Sequence, residues 1–173
     1  PHHPGQPGPH GDPAAPHHPG QPGPGAHHQG EEDGDAIVGK IIGIDLGTTH
    51  SLVSVVLSGT ARVLLDDDEQ ALFPSMLQYD EKGELKALGR NVDLSATSDT
   101  TFRSIKRFMG RAPSTVQDEA SQFGYTLSDD GRVTRFAVGD KNITPIEMSA
   151  EILKALSNIA EECLFSKPTG AVI

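Results

Sequence analysis

The sequence predicts an α/β domain made of antiparallel hairpins and helices and preceded by a disordered tail. Short apolar runs separated by tight turns fill residues 41–89, and an amphipathic helical pattern covers residues 145–165. Residues 1–40, in contrast, hold few apolar side chains. Antiparallel strands followed by a helix that returns to a further strand favour a sheet whose helical cover is incomplete.

The first forty residues are rich in the residue types that oppose folding. They contain nine of the thirteen prolines, nine of the nineteen glycines and seven of the eight histidines. Because such a segment cannot offset the entropy lost on ordering, we expect it to be disordered. We therefore place the domain boundary near residue 40, with a tail at 1–40 and a domain at 41–173.

Composition limits the kinds of partner and the cellular compartment that we expect for this protein. The net charge is −10 and no basic cluster is present, which disfavours a nucleic-acid partner. The single cysteine, Cys163, cannot form an internal disulfide and fits a reducing compartment such as the cytoplasm. No apolar run approaches the length of a membrane span and no signal peptide is recognisable, so we expect no membrane partner. The chain begins at Pro1 and ends on a strand-like GAVI, and we interpret it as a piece of a longer protein.

The first elements of the domain are predicted to be hairpins. Three short strands at 41–46, 51–58 and 61–65 are joined by turns that are too short for any but antiparallel pairing. Segments 73–80 and 84–89 flank a Glu-Lys-Gly turn and predict a second hairpin.

Helices are predicted farther along the chain. Residues 90–97 and 101–109 are expected to be helical, and Pro113 is expected to begin another short helix. Residues 124–138 are expected to form a hairpin about Asp130-Gly131.

The clearest helical signal is at 145–165. Thr144 is suited to the N-cap, Pro145 to the first helical position, and Glu147 completes a capping box. Helical spacing predicts that one face belongs to the core, formed by Met148, Ile152, Leu156, Ile159 and Cys163. The closing TGAVI is expected to be the strand that this helix feeds.

The stretch IIGIDLGTTHS places a carboxylate beside a turn rich in hydrogen-bond donors. Strand alternation puts Ile42, Ile44 and Leu46 on one face and Asp45 on the other, between two glycines. A tight turn at Gly47-Thr48-Thr49 can aim several N–H groups at an anion, and an adjacent acid suits a phosphate that carries Mg²⁺. The alternative is an ordinary polar hairpin turn in which Asp45 only bonds the turn. A P-loop is disfavoured because no lysine follows the glycine.

Lys106 is the second candidate. On a helical wheel of residues 101–109 the apolar face contains Phe102, Ile105 and Phe108, and Lys106 falls at its border, where it can reach into a cleft. Taken without any family, a solvated lysine is the favoured interpretation.

Five segments occur in the order known from one protein family. The segments are GIDLGTT, FPSMLQY, SIKRFMGR, MSAEILKAL and TGAVI. They resemble the amino-terminal part of the ATPase domain of the DnaK-type heat shock protein 70 chaperones. Their amino-acid sequences are most similar to the HscA branch. The resemblance implies an actin-like, ribonuclease H-like fold, of which this chain would hold only a truncated part.

The resemblance also implies roles for residues of the site. Gly47, Thr48 and Thr49 would contact the β- and γ-phosphates of ATP or ADP, and Asp45 would hold Mg²⁺ through water. His50, at a position where the family usually has Asn or Tyr, would bind through its main chain. Lys106 would stabilise charge on the transferring phosphoryl group and position the attacking water.

The resemblance implies that the intact parent hydrolyses ATP to control the binding of unfolded or scaffold polypeptides, and similarity to the HscA branch implies a role in iron–sulfur cluster assembly. Its partners would include a J-domain cochaperone and a nucleotide exchange factor. The present chain alone is expected to hydrolyse little or nothing, to bind nucleotide weakly and to be poorly soluble.

Two other classes stay open on the residues alone. One is a non-chaperone ATPase or sugar kinase of the actin-like superfamily. The other is a non-enzymatic protein that binds Ni²⁺ or Zn²⁺ through the tail histidines. The acidic run at residues 66–69 is interpreted as a solvated turn.

Overall fold

A computed structural model describes residues 40–96, 100–128 and 131–173. The tail expected to be disordered lies outside the described residues, apart from Lys40, and so does Asp130 of the predicted turn. The described part is a mixed α/β structure, as the sequence predicts. None of its helices has the length and apolar composition needed to cross a membrane.

The first sheet contains the predicted meander. Strands β1 (Ile41–Asp45), β2 (His50–Leu57) and β3 (Thr60–Val63) pair in antiparallel order. The short strand β4 (Phe73–Pro74) pairs with the start of β2. The last strand, β10 (Gly170–Val172), lies parallel to β1, which confirms the strand expected after the long helix.

The second sheet is built around β5 (Met76–Tyr79). This strand pairs antiparallel with β6 (Leu85–Leu88), as predicted, and on its other side with β7 (Thr100–Arg103). Since β4 belongs to the first sheet, the segment from β4 to β5 passes directly from one sheet to the other. Ser75 is the single residue between them.

A small hairpin of β8 (Phe136–Val138) and β9 (Lys141–Ile143) was not predicted. Its turn contains Gly139 at a φ of +56°, where a Cβ would lie 2.3 Å from the carbonyl oxygen of Glu81. Only glycine allows the two turns to touch in this way. The hairpin predicted at 124–138 is present in part, as a bridge between Leu127 and Phe136.

The two helices begin at prolines. Helix α1 (Pro113–Gln122) and helix α2 (Pro145–Leu164) both have proline in the first turn, and the Thr144–Glu147 capping box of α2 is formed as predicted. Helix α2 packs on β1 and β2 and buries its predicted face over the first half of its length.

The core prediction for Cys163 is wrong. Buried residues in α2 recur every four positions, ending in Leu156, Ala160 and Leu164, so the buried stripe rotates by about 40° at each step. At the end of the helix Ile159 is half-buried and Cys163 is exposed, and the Cys163 thiol donates to the Leu65 carbonyl at 3.2 Å.

The helices predicted at 90–97 and 101–109 are also wrong. Within its described residues, 90–96, the first region has no α-helix and contains only the end of a 3₁₀ turn, Gly89–Asn91. The second contains β7 followed by a 3₁₀ turn, Ile105–Phe108, and the two are separated by Ser104 at φ 59° and ψ 28°. A left-handed residue cannot lie inside an α-helix, and pairing with β5 holds the preceding residues extended.

Candidate functional site

The turn between β1 and β2 presents Asp45 to solvent. Ile42, Ile44 and Leu46 are buried, whereas Asp45, the last residue of β1, is exposed, so the predicted alternation is observed. No hydrogen bond or ion pair joins the Asp45 carboxylate to another residue in the described part of the chain. The carboxylate is therefore free to hold a hydrated cation.

Gly47 is required by the shape of the turn itself. A Cβ at this position would lie 1.9 Å from the carbonyl oxygen of His50, a distance that no side chain tolerates. Glycine is therefore required at position 47 on steric grounds, whether or not a ligand binds.

Two buried serines hold the turn. The Gly47 N–H donates to the Ser51 hydroxyl at 3.1 Å, and the Ser75 hydroxyl donates to the Gly47 carbonyl at 3.0 Å. The two hydroxyl oxygens lie 2.9 Å apart, and the Ser75 N–H donates to the Thr49 carbonyl at 2.9 Å. Sequence reasoning missed both serines as site residues, because nothing in FPSMLQY indicates that its serine reaches back to the turn.

The turn has fewer free hydrogen-bond donors than the sequence predicts. The Gly47 amide is already satisfied by Ser51. No acceptor in the described residues takes the amides or the hydroxyls of Thr48 and Thr49. His50 is exposed at the start of β2, opposite Pro74. An exposed carboxylate beside two unused amides and two hydroxyls is a donor set that fits a phosphate with Mg²⁺.

Lys106 lies on the 3₁₀ turn after β7. Ile105 and Phe108 on either side of it are buried, as the wheel predicts, and Lys106 is exposed. The Lys106 ammonium has no partner among the residues that the structure describes. Ser104, with its left-handed backbone, redirects the chain from β7 into this turn. The side chain is therefore available at the border of the core, although the backbone is not the predicted α-helix.

The neighbouring cations are engaged. Arg111 and Arg107 both bond the Glu119 carboxylate, at 2.7 and 3.1 Å. These bonds, with that from Arg111 the stronger, hold the pKa of Glu119 below its usual range. Lys106 is thus the cation in this turn without an acidic partner, within the described residues.

The segment from β4 to β5 links the two parts of the site. Ser75 contacts the turn through Gly47 and Thr49, and the next residue, Met76, pairs with Arg103 in β7. Lys106 follows Arg103 by three residues. The donor turn and the lysine are therefore connected by two hydrogen bonds from Ser75, one strand pair and a short stretch of backbone.

The acidic run at residues 66–69 forms an ordered turn. Asp66 accepts the N–H groups of Asp68 and Gln70 and is paired with Arg90 at 3.0 Å. Partial burial alone would raise the pKa of Asp66, but the bonds from Gln70 and Arg90 outweigh it and leave that pKa below its usual range. In the described residues, no group of three or more His, Cys, Asp or Glu side chains is placed so that it could hold a metal ion.

Comparison with known proteins decides the family. Residues 41–173 match the family model described as Hsp70 protein. The chain belongs to the Hsp70 family. The match covers the whole of the described domain except Lys40, including the donor turn and Lys106.

Curated relatives of this Hsp70-family chain carry the HscA name. A chaperone protein HscA homolog of Chromobacterium violaceum is 40% identical over 134 residues, which cover 76% of this chain and 21% of that protein. The chaperone protein HscA of Pectobacterium carotovorum is 37% identical over 133 residues, covering 76% and 22%. An HscA homolog of Acinetobacter baylyi is 40% identical over 133 residues, covering 76% and 21%. The chain thus spans about a fifth of the length of the relatives that it matches.

Proposed function

We propose that this chain forms the phosphate-binding part of an Hsp70 nucleotide-binding domain and that the complete protein is an ATP-dependent chaperone. The observation that carries the proposal is the turn at residues 47–49, with two unused amides beside an unpaired carboxylate. Family membership supports it, because an Hsp70 match favours a chaperone over a sugar kinase of the same superfamily.

The residues of the turn would have different roles in binding nucleotide. The N–H groups and hydroxyls of Thr48 and Thr49 would hold phosphate oxygens of ATP or ADP, and His50 would contribute its main chain. Gly47 would shape the turn, since its own amide is bonded to Ser51. Asp45 would hold Mg²⁺ through the waters that this ion retains, and the ion would neutralise phosphate charge.

Lys106 would act on the reacting group. An unpaired ammonium can stabilise negative charge that develops on a transferring phosphoryl group and can orient the attacking water. Ile105 and Phe108 beside Lys106 are buried, so the backbone that carries the ammonium is anchored at the edge of the core.

The branch of the Hsp70 family and the partners of this protein are proposed by analogy with its relatives. Proteins named HscA among the matches suggest a role in iron–sulfur cluster assembly, with scaffold or unfolded polypeptides as clients. A J-domain cochaperone, a nucleotide exchange factor and a cytoplasmic location belong to the same proposal.

The test is a pair of variants in the full-length protein. Lys106→Ala should lower single-turnover ATP hydrolysis by about 10²- to 10³-fold, because one charge-stabilising group is removed. The Kd for Mg·ADP should change much less. Arg107→Ala is the matched control, since it removes the adjacent exposed cation, whose partner is Glu119.

Unchanged turnover in Lys106→Ala would remove the mechanism proposed for this residue. Equal losses in both variants would show that the turn needs positive charge in general and not Lys106 in particular.

A further inference from the structure

The two buried serines close a ring of hydrogen bonds on Gly47. A carbonyl oxygen can only accept, so the Ser75 hydroxyl must donate its single proton to the Gly47 carbonyl at 3.0 Å. The contact of 2.9 Å between the hydroxyls then requires Ser51 to be the donor to Ser75. Ser51 in turn accepts from the Gly47 N–H at 3.1 Å. The ring therefore begins and ends on the two backbone groups of one residue.

The ring is buried, and both of its hydroxyls are satisfied. Ser51 is 1% exposed and Ser75 is 3% exposed. Each hydroxyl donates once and accepts once, so neither has a proton left for another partner. In a buried setting such chains of bonds polarise one another and resist opening.

The ring also determines which hydrogen-bonding groups of the turn are occupied and which stay free. It takes the amide and carbonyl of Gly47, and the Ser75 N–H takes the carbonyl of Thr49. Within the described residues, the amides of Thr48 and Thr49 stay without an acceptor. Both ends of the turn are thus anchored, at Gly47 and at the Thr49 carbonyl, while the N–H groups of Thr48 and Thr49 stay available for a ligand.

We propose that Ser51 and Ser75 are positioning residues for nucleotide phosphate: they withdraw the Gly47 amide from ligand contact and hold the Thr48 and Thr49 amides ready to bind. The inference rests on the proposed function. Ser75 also connects the turn to the backbone that leads to Lys106, because the next residue, Met76, pairs with Arg103 in β7.

The test uses amide-resolved NMR of the 173-residue chain with Mg·ADP at millimolar concentrations. In the unsubstituted chain the Gly47 amide should exchange with solvent at least about tenfold more slowly than those of Thr48 and Thr49. Addition of Mg·ADP should shift the Thr48 and Thr49 signals most strongly.

Substitution of either serine should separate positioning from stability. Ser75→Ala and Ser51→Ala should each raise the Kd for Mg·ADP about tenfold, the equivalent of one net hydrogen bond. Ser54→Ala is the matched control, because Ser54 lies on the same strand and donates to the Gly43 carbonyl at 3.3 Å, away from the turn. It should leave the Kd unchanged.

The outcomes are distinguishable. If the unsubstituted chain shows slow Gly47 exchange but no shift with Mg·ADP, the proposed function fails and this inference fails with it. If Mg·ADP binds and the serine variants bind equally well, only the positioning role is overturned. Should a serine variant unfold, rapid exchange of Gly47 in the unsubstituted chain would by itself contradict the ring.

Discussion

The hydroxyl of Tyr125 bridges both backbone groups of Arg103. It accepts from the Arg103 N–H at 2.8 Å and donates to the Arg103 carbonyl at 2.9 Å. Tyr125 is buried, and its ring lies 4.7 Å from that of Phe102. The tyrosine therefore fixes the end of β7, three residues before Lys106.

Tyr125→Phe tests this clamp. The substitution keeps the ring and leaves two backbone groups of Arg103 without their partner, so the free energy of unfolding should fall by about 1–3 kcal/mol. Urea denaturation measures the loss. Tyr79→Phe is the control, because Tyr79 is buried but its hydroxyl has no hydrogen-bond partner in the described residues. Equal losses in the two variants would contradict the clamp.

Gly47→Ala tests the shape of the donor turn. Because the added methyl would lie 1.9 Å from the His50 carbonyl oxygen, the backbone must move. We expect a loss of about 1–3 kcal/mol in the free energy of unfolding and a weaker Mg·ADP affinity. Thermal or urea unfolding and NMR titration measure the two effects. Gly131→Ala, whose methyl would meet no atom of the described residues closer than 3.9 Å, should have little effect, and a Gly47 variant as stable as this control would refute the steric argument.

Glu147 should make stability depend on pH in the acidic range. Its carboxylate accepts hydrogen bonds from the Thr144 backbone N–H and from the Thr144 hydroxyl. These two bonds, of which the backbone bond has the larger effect, hold the pKa of Glu147 below its usual range. A lowered pKa in the folded state gives stability that is complete above the unfolded pKa, near 4.5, and is lost as the pH falls through the folded pKa.

Glu147→Gln should accordingly lose about 0.5–1 kcal/mol at pH 7, and its difference from the unsubstituted chain should shrink as the pH is lowered toward 3. Unfolding free energies at the two pH values measure this difference. Glu161→Gln, near the other end of α2, should lose no stability at pH 7. A Glu147→Gln difference that persists unchanged at pH 3 would argue against the charged cap.

Patterns that depend on local geometry could be predicted from the sequence. Alternation places Asp45 outside the core, and the capping box places the start of α2 at Pro145, and both are observed. These features depend on residues within one turn or one strand of each other.

Features that depend on distant partners could not be predicted. Residues 101–103 carry a helical apolar pattern, but pairing with β5 makes them a strand. Phe102, Ile105 and Phe108 are buried in either conformation, so the periodicity could not tell the two apart. Ser75 is the clearest case, since its contact with Gly47 spans 28 positions and leaves no local trace in the sequence.

The most direct test of the account is a crystal structure of the complete protein with Mg²⁺ and ADP. We predict phosphate oxygens within about 2.7–3.2 Å of the Thr48 and Thr49 amides, with Gly47 still bonded to Ser51 and the hydrated ion beside Asp45. Nucleotide phosphate bound away from this turn would contradict the central claim.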